Sequence, residues 1–176
     1  MPTRRAAALT LLILVLGMGL AACGGGHAGK AATTAATARA DERWRAGLTR
    51  WHERMLDALD GMSILFSRAK PVQLLEAGDR KTGARLTSYS TTLAGCSTSL
   101  ETLGPAPVEL AAAQRAARQA CSSLERGARL VVQAVEALQG GRGFALFDRA
   151  SVPLGDGQNT MEVAVDEARQ VAAPSS

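Results

Sequence analysis

Aromatic side chains are scarce in this chain: two Trp, one Tyr and three Phe among 176 residues. Sheet proteins lean on β-branched and aromatic residues to cover a pleated surface. Their scarcity beside abundant alanine therefore favours close-packed helices. Histidine is rarer still, with only His27 and His52. Cysteine occurs three times, at 23, 96 and 121, never as Cys-x-x-Cys or Cys-x-x-Cys-His. The spacings expected of a zinc site, a thioredoxin-like redox pair and covalently attached haem are thus missing. No Glu-x-x-His pair points to a di-iron bundle, and the glycines at 24–26 and 140–143 precede no strand–helix unit that would cradle phosphate. Nothing places a nucleophile, a base and an orienting group together. Neither an enzyme nor a cofactor or metal is expected.

Charge of one sign is also lacking. The formal charge is +4, with 20 basic and 16 acidic residues. Arg4 and Arg5 belong to a targeting segment, so the chain without them carries +2. Basic residues alternate with acidic ones instead of forming a stripe, which argues against nucleic acid as a partner.

Arg4 and Arg5 precede an uncharged stretch, Ala6 to Leu20, with a dense core at Leu11-Leu12-Ile13-Leu14-Val15-Leu16. That run is short against the ~20 residues needed to cross hydrocarbon. Leu20-Ala21-Ala22-Cys23 follows at once. This resembles the lipobox of bacterial lipoproteins: an aliphatic residue, two small residues and a cysteine. The resemblance covers only the targeting segment. It implies a signal peptide over 1–22, cleavage before Cys23, lipid on the Cys23 thiol, and an extracytoplasmic location on a bacterial membrane. Residues 23–40, rich in Gly, Ala and Thr without hydrophobic periodicity, are expected as a flexible tether.

Beyond the tether the chain is periodic. Trp44, Leu48, Trp51, Met55, Leu59, Met62 and Phe66 step by three and four, one face of a helix over 41–67. Thr82, Leu86, Tyr89, Leu93, Cys96, Leu100 and Leu103 define a second helix, 71–103, whose continuity through 78–83 is open. Gly104-Pro105-Ala106-Pro107 ends it. Leu110, Gln114, Ala117, Cys121, Leu124, Ala128, Val131, Val135 and Leu138 mark a third over 108–139. The fourth segment carries Pro153, Gly155 and Gly157, which remove a donor and lower helix propensity. It is expected as two pieces or a kinked helix, 143–152 and 157–171, before a disordered tail at 173–176. Four amphipathic segments over 41–172 with short connections predict an all-α, antiparallel up-down four-helix bundle. The alternative is a three-helix bundle with a loose C-terminal segment.

With Cys23 committed to lipid, Cys96 and Cys121 form an even pair in an exported and oxidising setting. Level helix ends would leave them offset by about 9 Å along the axis, too far for a bridge. An extended Gly-Pro-Ala-Pro connector climbs roughly 10–12 Å and closes that offset. A Cys96–Cys121 disulfide therefore requires the third helix to overhang the end of the second.

Polar residues interrupt the apolar seams at Thr82, Gln114, Ser151 and Gln158. They either fix register or line a small ligand pocket between helices. His52 with Met55, Met62 and Met161 could in principle hold haem, but the methionines fit core spacing and His52 points elsewhere. The function expected is a non-enzymatic lipoprotein, an interaction or envelope-associated module held on the membrane through Cys23, with an envelope protein as possible partner. The alternative is a solute-binding or sensor lipoprotein.

Overall fold

The computed structural model describes residues 26–68, 73, 79–138 and 144–171. Residues 1–22, expected as a signal peptide, Cys23 and the tail expected at 173–176 lie outside the described residues. The structure is all-helical, with no strand among the described residues. Five α-helices pack against one another: α1 Gly26–Arg68, α2 Arg80–Ala94, α3 Cys96–Glu101, α4 Ala111–Leu138 and α5 Phe144–Gln170. A 3-10 turn, Val108–Leu110, leads into α4.

Helix α1 begins 15 residues before the expected Asp41. Residues 26–40, expected as a flexible tether, are therefore helical. The segment lacks an apolar stripe, which hid it, but it holds seven alanines and no proline. Alanine has the highest helix propensity, and extending an existing helix avoids the cost of nucleation. Residues 36–39 are exposed, and Trp44 is the first buried side chain after them. From there Leu48, Trp51, Met55, Leu59 and Met62 follow the predicted face into the core.

The second segment divides into α2 and α3. Asp79 caps α2, its carboxylate accepting from the Lys81 backbone N–H at 3.1 Å and the Thr82 hydroxyl at 2.7 Å. Much of 71–78 lies outside the described residues. Gly95 separates the two helices, yet its N–H donates to Thr91 O at 3.1 Å and Ser99 N–H donates to its carbonyl at 2.9 Å. The i→i−4 ladder thus carries across Gly95, and α3 continues α2. Gly104, at φ 73°, ends α3 in a left-handed conformation open chiefly to glycine.

The expected break near 153–157 does not occur: α5 runs unbroken through Pro153. Nor is the C-terminal helix loosely attached, since α4 and α5 form the most extensive interface among the described residues. Gly157 explains much of this. A Cβ there would lie 2.7 Å from Leu124 Cγ, and one at Gly127 would lie 2.6 Å from Leu154 Cγ. Each glycine receives a leucine from the opposite helix. The packing gained along Met161, Ala164, Val165 and Ala168 outweighs the hydrogen bond that Pro153 forfeits. Alanines 113, 117, 120, 128 and 134 of α4 are buried as well, so small side chains let the backbones approach.

Helix α1 packs on α2, α3 and α5, and α4 packs on the same three. Contacts that climb one helix descend its neighbour. The Trp44 indole N–H donates to Gly104 O and that of Trp51 to Cys96 O, each at 3.4 Å, while Gly61 abuts Tyr89. The Cys96–Cys121 disulfide, with Cα atoms 5.2 Å apart, joins α3 to α4. Gln114 Nε2 donates to Gly104 O at 3.4 Å, which puts Gln114 level with the end of α3. Val108 to Ala113 therefore project past that end. Gln114 to Cys121 spans about 10 Å of helix and Cys96 to Gly104 about 12 Å, so the overhang brings the two cysteines to one height.

Candidate functional site

A hollow of about 580 Å³ lies between α1 and α5. Leu59 and Met62 of α1, Val131 of α4, and Phe147, Ala150 and Leu154 of α5 give it an apolar floor. It exists because both flanks carry small residues. Ser63 lines the α1 side, Ser151 and Gly155 the α5 side, and a Cβ at Gly155 would meet nothing within 4 Å. Phe66 and Phe147 stack edge to face across the two helices, with ring centroids 5.1 Å apart at 74°. Asp60 and Asp148 bring the only charges among the described lining residues, both negative, and the amide of Gln158 lines the hollow with them.

The four polar seam residues do not converge. Ser151 and Gln158 line this hollow together. The Ser151 hydroxyl donates to Asp148 O at 2.7 Å, which fixes that side chain along its own helix. Gln114 lies at a separate hollow of about 500 Å³ with Ser97, Glu101 and Arg118. Thr82 is buried at the start of α2, where it serves the Asp79 cap. A single pocket holding all four is thus ruled out by the helix pairing. Asp60, Asp148 and the Phe66–Phe147 pair were not expected as site residues. In sequence Asp60 is one more acid on a charged helix face, and only the juxtaposition of α1 with α5 distinguishes it.

A smaller hollow, about 250 Å³, surrounds His52 with Glu162, Val165, Asp166 and Arg169. Burial of the imidazole lowers its pKa below the ordinary 6.5; Glu162 and Glu53 oppose the shift and Arg169 reinforces it. Its buried Nε2 has no hydrogen-bond partner among the described residues. Asp166 accepts from Arg169 at 3.3 Å on an exposed turn. On α2 and the turn that ends α3, three threonine hydroxyls bond back to their own helix backbone: Thr91 donates to Thr87 O, Thr92 to Ser88 O and Thr102 to Ser99 O. Ser90, in contrast, is fully buried and its hydroxyl lacks a partner.

Among the described residues no three His, Cys, Asp or Glu side chains gather as a metal would need. No described helix is long and apolar enough to cross a membrane. No protein-family model matches the chain, and no curated protein or solved structure is significantly similar to it.

Proposed function

We propose that the chain is an extracytoplasmic bacterial lipoprotein, anchored through lipid on Cys23, whose helical domain acts by binding, without catalysis, as an interaction or envelope-associated module. In this reading the domain is an antiparallel up-down four-helix bundle in which α2 and α3 serve as one helix. The opposed registers of α1 with α2–α3, of α3 with α4 and of α4 with α5 support that topology. The observation that carries the lipoprotein reading is the pairing of cysteines. Cys96 and Cys121 are consumed by a disulfide, a bond favoured outside the reducing cytosol, and Cys23 remains at the lipobox. Mass spectrometry of protein recovered from membranes tests it: the mature chain should begin at Cys23 and carry diacylglycerol. A Cys23→Ala chain that remains lipidated, or a mature terminus elsewhere, overturns the proposal.

A second reading, a solute binder, is favoured by the α1–α5 hollow. Its volume of about 580 Å³ falls within the ~300–1,000 Å³ usual for small-molecule sites, and its apolar floor with a few polar groups matches their usual lining.

A further inference from the structure

The α1–α5 hollow carries chemical information beyond its size. Its floor is apolar and includes Met62, Val131 and Leu154. Among the described residues, its charged lining is Asp60 on α1 and Asp148 on α5. Neither carboxylate makes an ion pair or a side-chain hydrogen bond among the described residues, so both remain available to an incoming group. The phase of the helices explains their placement. Asp60 and Ser63 stand three residues apart on α1, and Asp148 and Ser151 three apart on α5, so each acid shares its helix flank with a small residue. Phe66 and Phe147 stand at the same site, and the faces of aromatic rings attract cations. Among the described lining residues an anionic ligand would meet two carboxylates and no basic side chain. Both carboxylates are exposed to water, so a neutral ligand would gain nothing from them. An apolar body bearing a cationic head satisfies every part of the lining.

We propose that this hollow binds a small lipophilic organic cation, an amine or quaternary ammonium on an apolar body. The head lies at Asp60, Asp148 and the Phe66–Phe147 pair, and the body lies over Met62, Val131 and Leu154. The proposal rests on the solute-binding reading and adds the class of solute. Gln158 lines the same hollow, and its amide oxygen accepts from the N–H of an amine head.

Three probes of one shape test it: 4-phenylbutylamine, 4-phenylbutan-1-ol and 4-phenylbutanoate, titrated calorimetrically into the full chain in nanodiscs of zwitterionic lipid, with empty discs subtracted. The amine should bind about tenfold tighter than the alcohol, and the carboxylate weakest of the three. Asp60→Asn and Asp148→Asn should each weaken the amine by about three- to fivefold, the scale of a partly exposed ion pair, and leave the alcohol unchanged. Ser151→Trp, a change at an exposed position on the rim, should abolish binding of all three while the helical circular dichroism persists. Equal affinity for all three probes overturns the cation class but keeps a solute site. Absence of saturable binding by any probe overturns the solute-binding reading too. Tight binding of a basic amphipathic peptide, with none of the amine, would overturn the small-molecule proposal in favour of a protein partner.

Discussion

Opening the Cys96–Cys121 disulfide should lower the stability of the fold substantially. The bridge spans a sequence separation of 25 residues, and the chain-entropy relation for such a loop gives about 3.5 kcal/mol at 25 °C. For a domain of roughly 130 residues that corresponds to a fall in Tm of about 10–17 °C. The native state should keep its shape, because the loop's ends are also held by Trp51 on Cys96 O and by Glu125, which accepts from Ser97 N–H at 2.9 Å. The loss therefore arises mainly in the unfolded chain.

Urea unfolding of the full chain with and without a phosphine reductant measures this term alone, since both sulfurs stay in place. The reduced protein should show a lower midpoint and a larger m-value, because its unfolded chain exposes more surface. A Cys96→Ala/Cys121→Ala protein removes two fully buried sulfurs as well, and should lose roughly a further 1 kcal/mol per site from the cavities left behind. Oxidised and reduced proteins within about 1 kcal/mol of one another, with equal m-values, would refute the entropic reasoning. An alanine pair no less stable than the reduced protein would refute the packing increment.

Gly157→Ala forces a Cβ against Leu124 and should destabilise by about 1–2 kcal/mol, overpacking exceeding the gain in helix propensity. Gly155→Ala, in open space at an exposed position, should instead stabilise by about 0.5–1 kcal/mol; thermal melts of the two variants must move in opposite directions. Ser90→Ala removes a fully buried hydroxyl that has no partner, and should leave stability unchanged or raise it by up to about 1 kcal/mol; a clear loss in urea midpoint would mean the hydroxyl is satisfied. The burial-lowered pKa of His52 means that the unfolded chain takes up its proton first as pH falls. Stability from this group is complete above about 6.5 and is lost between there and the lower folded pKa, so the drop in urea midpoint between pH 7.5 and 5.5 should shrink in His52→Gln.

Legibility in the sequence followed apolar periodicity closely. The stripe from Trp44 to Met62 and that from Leu110 to Leu138 entered the core as expected, and the disulfide with its overhang followed from helix geometry and the length of the connector. Residues 26–40 escaped because a helix held by alanine propensity, with exposed side chains at 36–39, has no stripe to detect. Ser90 escaped because a small polar residue one place from Tyr89 looks solvated until the neighbouring helix is in position. The hollow escaped for a further reason: its acids lie on two segments far apart in sequence, and amphipathic patterning identifies buried faces without saying which helices meet.

The fourth segment shows how one feature can mislead about structure and still mark the site. Gly155 and Gly157 lower helix propensity, and with Pro153 they pointed to a break. Two residues along a helix turn the direction of projection by about 200°, so these glycines face nearly opposite ways. Gly157 faces α4, where the missing side chain admits Leu124. Gly155 faces the space beside α1, where the missing side chain helps to leave the hollow open. The close approach on one side makes α5 a continuous, firmly held helix despite its proline. The gap on the other side lets that helix present Asp148, Ser151 and Gln158 around a recess. A double Gly155→Leu/Gly157→Ala change should separate the two roles against Gly157→Ala alone: the single variant loses stability and keeps amine binding, while the leucine fills the recess and abolishes it. If the leucine left amine binding intact, the binding site would have to lie elsewhere.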